Sequence, residues 1–391
     1  MFIIPYAFLF FMGSIILDPK PLDFFYLPPS MVGREKENKM LSAMYSSLPA
    51  TGGMHTFVTG ESGLGKTALV KIFFEKLKEK QKDMDVVYVN CKRYNSPYSV
   101  GCQILSTYES GSPPSTLGKV TDNLKHVLES NHRKLIVVLD EVHVSFEEKK
   151  NDADRLVYTL TRINDCIPGK GVSLSVVLIS PKDMLKLMSK STSGIFAHNV
   201  INLRRYEQDG LYSIVDQRTG LALAPNAVDD EGKSFIARIT EDGNARLAID
   251  ILGRSARVAE NNGESCVCAE DVRAAKRSLS LDYGTGVVFD LPLDEKYAFL
   301  GIAAGCRKHI EIPLRNAYSF YEDVCREQGD EAKGYKQFTR YVSRLASFGL
   351  VGMHDSNKES FVYIDAPAED LIKWLGDLIR MERKYLPGHL A

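Results

Sequence analysis

The chain has 391 residues, with 49 lysines and arginines against 50 aspartates and glutamates, so its formal net charge is −1. That length suffices for two or three domains with a sizeable core, and the near-zero charge excludes a uniformly basic protein, so any nucleic-acid-binding surface must be local. The seven cysteines are scattered and form no CxxC pair, and the eight histidines form no HExxH motif. Neither a zinc site nor a disulfide framework is expected, and a reducing cytosol fits.

Residues 1–30 are predicted to be an N-terminal extension. The run MFIIPYAFLFFMGSIIL carries no charge before Asp18, but it is short for a membrane span and lacks the positive residues of a signal peptide. We interpret it as a product of an upstream start codon, with Met12 as the natural start, so that residues 1–11 would not belong to the protein. A membrane anchor is the alternative. We expect no membrane partner and a cytoplasmic location.

The stretch GESGLGKT has the spacing of a phosphate-binding loop and lies between a strand-like run and a helical run. Three glycines let the backbone approach phosphate oxygens, and the loop's N–H groups form an anion nest at a helix N-terminus. Lys66 is predicted to contact the β- and γ-phosphates and Thr67 to bind Mg²⁺, so the expected ligands are ATP or ADP with Mg²⁺. The alternative is a chance glycine-rich turn. The predicted contact residues of the loop are Gly60, Glu61, Ser62, Gly63, Leu64, Gly65, Lys66, Thr67 and Ala68.

A second motif, KLIVVLDEVH, is a buried strand that ends in two acids. Asp140 is predicted to hold Mg²⁺ through water, and Glu141 to orient and deprotonate the attacking water. The alternative is a strand that simply ends at surface acids. The letters DEVH also fit the second motif of a helicase family, but the Q-x-x-G-R-x-x-R motif that such helicases carry is missing from the sequence.

From about Met31 to Asn202, strand-like and helical runs alternate, which predicts an α/β fold with a parallel sheet buried on both faces. Residues 206–281 are predicted to be all helical. The run DYGTGVVFDLP, with two glycines and a proline, is predicted to be a linker, and helices followed by a short hairpin come after it. The predicted strands are HTFVT, DVVYVN, KLIVVLD, VSLSVVLIS and HNVINL.

Within the C-terminal region, GYKQFTRYVSRLASFGL is predicted to be an amphipathic helix that precedes a two-stranded wing. The apolar residues predicted to share one face are Phe338, Tyr341, Val342, Leu345 and Phe348. The cations predicted to share another face are Lys333, Lys336, Arg340 and Arg344. Such a helix suits the major groove of DNA, with Lys358 of the wing tip on a phosphate or in the minor groove. The alternative is a solvated amphipathic helix.

The helical segment DGNARLAIDILGRSARVAENNG, followed by VCAEDVRAAK, closely resembles the lid of a replication initiator family. That family comprises the large subunit of the origin recognition complex and cell division control protein six, in their compact archaeal form. The resemblance covers about residues 14–350. Further matching segments, in chain order, are YLPPSMVGREKENKML, VYVNCKRYNSPYSV, LVYTLTRIND and YEQDGLYSIVDQR.

The resemblance implies a fold of three domains after the extension: an AAA+ P-loop ATPase base (31–205), a helical lid (206–283) and a winged-helix DNA-binding domain (284–391). It also implies that Arg246 is a lid arginine that reaches the γ-phosphate. A cation carried on a separate domain can distinguish a triphosphate from a diphosphate by moving that domain. An ordinary surface arginine is the alternative. The other nucleotide-facing residues implied by the resemblance are Val32, Gly33, Arg34, Tyr206 and Arg218.

Two positions depart from the family's pattern. The family's first sensor is a polar residue after the fourth strand, where this chain has Pro181 with Ser180 beside it. Lys190 lies nearest the expected arginine finger, and lysine lacks the planar fork of arginine. We therefore expect weak ATP hydrolysis and poor completion of a neighbouring protomer's site. Whether Ser180 and Lys190 replace the missing groups stays open at this point.

The resemblance implies a function as an ATP-dependent replication initiator. Its expected partners are origin double-stranded DNA, the minichromosome maintenance helicase and a paralogous initiator protomer, with ATP binding and slow hydrolysis as the switch. One alternative is a signalling or transcription-regulating AAA+ or STAND-type ATPase whose winged helix docks protein. Another is a clamp loader or transposition helper. The origin sequence and the number of protomers on DNA stay open.

Overall fold

The computed structural model describes residues 14–45, 53–94, 96–108, 114–131, 134–166, 172–279, 285–356 and 359–385. The chain divides into two compact units. The first unit comprises Leu27–Gly210 and Asp242–Arg246, and the second comprises Met1–Tyr26, Leu211–Glu241 and Leu247–Ala391. A search of the described residues found no helix with the length and hydrophobicity needed to span a membrane.

The first unit is built on a parallel five-stranded sheet. Its strands are β1 (Thr56–Thr59), β2 (Met84–Asn90), β3 (Lys134–Asp140), β4 (Ser173–Ser180) and β5 (Val200–Asn202). Their order in the sheet is β2-β3-β4-β1-β5, and all four pairings are parallel. Strand β4 is buried along its whole length, because helices cover both faces of the central strands. The predicted parallel α/β fold and its five strands are confirmed.

Six α-helices accompany this sheet in the described part of the unit. They are α1 (Glu35–Tyr45), α2 (Lys66–Lys80), α3 (Pro97–Leu105), α4 (Leu117–Asn131), α5 (His143–Thr161) and α6 (Lys190–Phe196). Helix α5 begins about ten residues before the predicted start at Asp154, and it is interrupted at Lys149, whose backbone angles are not helical. Its early start places His143 directly after the acidic motif.

The edge of the sheet formed by the carboxyl ends of the strands gathers the predicted site residues. Thr59, the last residue of β1, pairs with Ser180 at the end of β4, and Asn90 pairs with Asp140 at the end of β3. Ligands of open parallel sheets bind outside this edge. The phosphate loop after β1 and the acids after β3 therefore lie at the same end of one rigid sheet.

The second unit begins with a short segment packed on helices. Ile16 forms a β-bridge with Leu223, and the Glu260 carboxylate accepts hydrogen bonds from Ser14 Oγ at 2.7 Å and from the Ile16 N–H at 2.9 Å. The helices of the lid are α7 (Gln208–Ala222), α8 (Asp230–Ile239), α9 (Ala245–Asn261) and α10 (Ala269–Leu279). Each of them lies within a run predicted to be helical.

The C-terminal region of the second unit combines helices with a three-stranded antiparallel sheet. The helices are α11 (Thr285–Phe289), α12 (Leu293–Gly305), α13 (Leu314–Glu327), α14 (Tyr335–Ser347) and α15 (Ala368–Tyr385). The strands are β6 (Glu311–Pro313), β7 (Gly352–Ser356) and β8 (Glu359–Tyr363), in the order β6-β8-β7. The hairpin β7-β8 is the predicted wing. The sequence pattern did not predict α15, which contributes Leu375 and Ile379 to the core.

The prediction of a linker at residues 282–292 is wrong for its described portion, from 285 onward. Residues 285–289 form helix α11, and Val288 and Leu291 are buried in the C-terminal core. The glycines and proline suggested an extended connection, but Val288 and Leu291 in the same run supply apolar surface that the core buries.

Arg273 on α10 ties the lid to the C-terminal region. Its side chain is fully buried, and its guanidinium donates to four backbone carbonyl oxygens at 2.9–3.1 Å and to the Glu270 carboxylate. The four carbonyls belong to Ile364, Cys306, His309 and Ile310. A buried charge is tolerated only when its donors are satisfied, and here all three guanidinium nitrogens are used. Through this contact the lid and the C-terminal region pack as a single body.

Candidate functional site

The phosphate loop has the backbone that its glycines allow. Gly60, Gly63 and Gly65 have φ values of 138°, 84° and 85°, which L-side chains rarely adopt, and Gly65 directly precedes α2. Lys66 Nζ donates to the carbonyl oxygens of Gly60 and Glu61, each at 2.7 Å. Burial lowers the pKa of Lys66, and the negative charges of nearby carboxylates act against that shift. The ammonium is thus held across the loop, where phosphate oxygens would replace the carbonyls.

The predicted magnesium residues lie together. Thr67 Oγ1, in the first turn of α2, donates to Asp140 Oδ2 at 2.9 Å. Burial raises the pKa of Asp140, while the hydrogen bond from Thr67 lowers it in part. A hydroxyl and a carboxylate oxygen side by side are the hard oxygen ligands that Mg²⁺ prefers. These two side chains therefore fit the predicted metal ion.

Glu141 extends from an unusual backbone position. Its φ is +55°, in the left-handed region, and its N–H donates to Asp140 Oδ1 at 2.9 Å. Its Oε2 lies 3.5 Å from His143 Nδ1 at the start of α5. Its charge also acts on Lys66 and Arg246, raising the pKa of each against the lowering effect of burial. The general base predicted from the sequence therefore lies among the cations that would face a bound triphosphate.

Arg246 belongs to the same compact unit as the phosphate loop, through the segment Asp242–Arg246. Asn244 directly precedes helix α9, and its Oδ1 accepts the N–H of Arg246 at 3.1 Å. A Cβ atom on Gly63 would lie only 2.1 Å from this Oδ1. The segment that carries Arg246 thus rests directly on the phosphate loop, and glycine is required there for space as well as for backbone conformation.

Three of the predicted nucleotide-facing residues, Val32, Gly33 and Arg34, lie next to Tyr206 or just before the residues that contact it. Arg34 is 3% exposed; its guanidinium lies 3.8 Å from the centre of the Tyr206 ring and donates to Leu64 O and Arg204 O. A Cβ on Gly33, whose φ is 69°, would lie 3.1 Å from the same ring. Val32 is half-buried just before them. Arg34 therefore holds the Tyr206 ring and the phosphate loop in place, and its guanidinium bonds to protein groups rather than lying free in the site.

Arg218, predicted to face the nucleotide, lies in the second unit on α7. Its Nη1 donates to the carbonyl of Pro21 at 3.0 Å, and its guanidinium lies 4.9 Å from the centre of the Tyr26 ring. Burial lowers its pKa. The partners of Arg218 in the described chain are thus residues of the N-terminal segment.

At the first sensor and finger positions, Ser180 is fully buried, and its Oγ accepts the N–H of Lys182 at 3.1 Å. Lys190 is exposed as the first residue of α6. Ser180 therefore offers a buried hydroxyl at the first-sensor position. Lys190 offers an exposed ammonium at the finger position.

Three contacts of the site were not predicted. Arg205 Nε donates to Glu61 Oε2 at 2.9 Å, and its Nη1 pairs with Asp242, so an exposed ion chain links the phosphate loop to the segment before α9. The other two are the close contact of the Asn244 side chain with Gly63 and the approach of His143 Nδ1 to Glu141 Oε2. Glu61 and His143 lie inside the two motifs, and Asp242 and Asn244 lie inside the lid segment DGNARLAIDILG, but no sequence pattern indicated these contacts.

The predicted DNA-facing helix is α14, and four of its five predicted core residues are buried: Phe338, Tyr341, Val342 and Leu345. Phe348 is wrong in that set, since it follows the last helical residue and is 43% exposed. The Arg344 guanidinium lies 5.7 Å from its ring centre. The apolar stripe therefore ends one turn earlier than predicted.

The predicted cations differ in their surroundings. Lys336 and Arg340 are exposed on α14, whereas Lys333 precedes the helix, so the prediction that it belongs to the helical stripe is wrong. Arg344 Nη1 donates to Glu295 Oε1 at 2.9 Å, and Glu295 on α12 is only 5% exposed at its side chain. Lys358 lies outside the described residues. The three cations on the helix are all exposed, and Arg344 differs from Lys336 and Arg340 because it pairs with the buried Glu295.

Three protein-family models match the chain in succession. An AAA domain matches residues 50–188, a Cdc6 AAA+ ATPase-type lid domain matches residues 212–277, and a CDC6 C-terminal winged helix domain matches residues 286–363. Together they span the phosphate loop, the lid helices and the wing in the order that the resemblance implied.

Curated relatives match along most of their length. The chain is 25% identical over 352 residues to ORC1-type DNA replication protein 1 of Methanothermobacter thermautotrophicus, which covers 86% of this chain and 88% of that protein. It is 28% identical over 345 residues to the ORC1-type DNA replication protein of Pyrococcus horikoshii, covering 83% and 80%. These relatives correspond to the whole arrangement of domains rather than to the ATPase domain alone.

Solved structures share the fold. Cdc6p from Pyrobaculum aerophilum superposes with a TM-score of 0.85 at 24% identity, over 94% of this chain and 100% of that one. The ORC1 protein of Aeropyrum pernix, solved in complex with DNA, gives a TM-score of 0.60 at 23% identity, over 94% and 99%. At these identities the likeness establishes the fold: an AAA+ domain, a lid and a C-terminal winged helix.

Proposed function

Because the chain belongs to the Cdc6 and ORC1-type family of DNA replication proteins, which are AAA+ ATPases with a winged helix, we propose that it is an ATP-dependent replication initiator. In this proposal it binds origin double-stranded DNA and recruits the minichromosome maintenance helicase, and ATP is the switch between states. The single observation that carries the nucleotide-binding role is the 2.9 Å contact between Thr67 and Asp140, which joins the phosphate loop to the acidic motif.

ATP or ADP lies with its phosphates in the loop at residues 60–68, held by backbone N–H groups and by the Lys66 ammonium. Thr67 and, through water, Asp140 would hold Mg²⁺, which would supply positive charge to neutralise the phosphates. Arg246 contacts the γ-phosphate, as its place beside Glu141 and above the loop supports. Val32, Gly33, Arg34 and Tyr206 shape the base end of the site, with Arg34 acting mainly as a brace.

Hydrolysis in this proposal uses Glu141 as the general base, which takes a proton from the attacking water. Turnover is slow for two reasons. Ser180 offers a hydroxyl where the family has an amide, and Lys190 replaces the planar guanidinium of a finger with a single ammonium. ATP therefore acts mainly through binding, and a paralogous initiator protomer that supplies an arginine would speed the reaction.

DNA binds through the exposed face of α14 and through the AAA+ module. Lys336 and Arg340 face solvent beside each other on one turn of the helix, as contacts to a major groove require. Lys333, exposed just before α14, adds a contact to a phosphate, and Lys358 of the wing sequence is proposed as a further contact to a phosphate or the minor groove. The proposed domain limits stay at 31–205, 206–283 and 284–391, and the proposed location is the cytoplasm, at the nucleoid.

Footprinting on the replication origin of the source organism, with ATP and with ADP, tests the proposal. We expect protection of discrete origin sites that changes in extent or strength with the nucleotide, and loss of that change in Lys66→Ala. Equal, sequence-independent protection in both nucleotides would contradict it. A protein that binds no duplex in either state would instead fit a signalling ATPase whose winged helix docks protein.

A further inference from the structure

The backbone of Glu141 has an unusually restricted conformation. Its backbone N–H is held by Asp140 Oδ1, and its φ of +55° leaves few alternatives for a residue other than glycine. The remaining freedom is in the side-chain torsions. Whatever contacts the carboxylate therefore decides where the general base points.

The group that contacts it is the imidazole of His143. Nδ1 of His143 lies 3.5 Å from Oε2 of Glu141, and the His143 side chain is 13% exposed. This Nδ1 is buried and forms no hydrogen bond of ordinary geometry with another described protein group. A buried ring nitrogen needs a partner, and Glu141 Oε2 is the acceptor that faces it.

Other charged groups lie near this imidazole. Glu147, one turn further along α5, has its pKa lowered mainly by Lys182, with which it pairs, and to a lesser extent by His143. The charge of Glu141 also acts on Lys66 and Arg246, raising the pKa of each against the effect of burial. Among these groups, His143 is the one with a nitrogen 3.5 Å from the carboxylate.

We propose that His143 is the positioning residue for Glu141, holding Oε2 so that Oε1 faces the attacking water. This inference rests on the proposed function as an ATPase. In the reaction, water gives a proton to Glu141, the hydroxide oxygen forms a bond to the γ-phosphorus, and the bond from that phosphorus to the β–γ bridging oxygen breaks. The bridging oxygen leaves with the electron pair as a constituent of ADP. His143 exchanges no proton in this step and acts only by orienting the base.

Steady-state turnover of three single variants tests the assignment. His143→Ala should lower kcat about tenfold, because a misplaced catalytic group commonly costs one to two orders of magnitude, and leave KM and ADP affinity unchanged. His143→Asn should recover most of the loss, since the asparagine amide places an N–H donor near the position of Nδ1. The matched control, His126→Ala, removes an exposed imidazole from α4 of the same unit and should match wild type.

A double variant separates orientation from an independent role. In the Glu141→Gln background, His143→Ala should cause no further fall in kcat, because a residue that acts through Glu141 has nothing left to position. Wild-type kcat in His143→Ala, or a full second loss in the double variant, would overturn the inference while leaving the ATPase proposal standing. Turnover that is insensitive to Glu141→Gln would overturn both, since Glu141 would then not be the base.

Discussion

The phosphate loop and helix α14 both follow from short sequence patterns, but the two regions use their cations differently. In the loop, Lys66 donates to carbonyls of the same motif and Thr67 meets the acid predicted to share its metal ion. On α14, one of the four predicted cations, Arg344, is bound by Glu295 from another helix. A motif whose partners are its own backbone specifies a geometry, whereas a charge stripe specifies only which residues face outward.

The largest expected effect concerns the general base. Glu141→Gln keeps the shape of the side chain but cannot accept a proton, so turnover should fall by about 10²–10⁴-fold while ATP still binds. Phosphate release from bound ATP measures the first result and calorimetry the second. Wild-type turnover in this variant would show that Glu141 is not the general base. The claim that these motifs specify the geometry of the site would then fail.

Lys66→Ala should weaken ATP and ADP binding by about 100-fold, since it removes a charged donor worth up to about 3 kcal/mol from the loop. Calorimetry with each nucleotide is the measurement. Lys78→Ala, which removes an exposed lysine near the C-terminal end of α2, is the matched control and should bind nucleotide like wild type. Equal affinity in Lys66→Ala and wild type would show that the loop does not hold phosphates.

The surface of α14 gives a smaller and graded effect. Arg340→Ala should lower the salt slope of duplex binding by about one unit if it contacts phosphate, or cost roughly 1–3 kcal/mol at one base position if it reads a guanine. Arg344→Ala should weaken DNA binding less, and should destabilise the fold by about 1–3 kcal/mol because Glu295 loses its partner.

A salt titration of duplex binding measures the effect of each variant on DNA affinity. Urea unfolding measures its effect on stability. Arg326→Ala, on an exposed face of α13, is the control for removing one positive charge. A larger DNA defect in Arg344→Ala than in Arg340→Ala would show that the pair with Glu295 opens on DNA, and the distinction drawn between the two arginines would fail.

The smallest expected effect concerns the contribution of Asp140 to the free energy of unfolding. Burial raises the pKa of Asp140 in the folded state, so the folded state holds its proton to higher pH than the unfolded chain does. Stability from this group is present at low pH and is lost as pH rises through the folded pKa. Asp140→Asn should therefore stabilise the nucleotide-free protein at neutral pH by about 0.5–1 kcal/mol, as removal of a functional polar group often does.

The Thr67 hydroxyl can reverse its role and accept from the new amide, which keeps the local contact. Urea unfolding at pH 7 and pH 3.5 checks the prediction, since the gain should vanish at the lower pH. Destabilisation at both values would mean that the hydrogen bonds of Asp140 outweigh its desolvation.

The parallel sheet could be predicted from sequence because its apolar runs are continuous and its motifs stand at strand ends. The four buried residues of α14 could be predicted because an amphipathic period is local information. The partner of Arg344 could not, since Glu295 lies 49 residues away and only the packing of α12 against α14 brings it near. The same holds for Asn244 on Gly63, where the contact joins positions about 180 residues apart.

Two errors have a common physical cause. The glycines of the run at residues 282–292 suggested an open connection, and Phe348 seemed by spacing to continue the apolar stripe. In both cases the end of a helix decided the outcome: α11 begins within the supposed linker, and α14 ends at Ser347 so that Phe348 leaves the core side. Periodicity describes the middle of an element well and its ends poorly.

The buried guanidinium of Arg273 restricts how this protein can be cut into fragments. A fragment that begins after α10 would lose the donor for the carbonyls of Cys306 and Ile364, and a fragment that ends there would keep a cation in an apolar setting without four of its five acceptors. Neither fragment would keep its native conformation, because each would lose hydrogen bonds of the buried guanidinium. Recombinant work on the DNA-binding end should therefore express the lid with it as a single polypeptide.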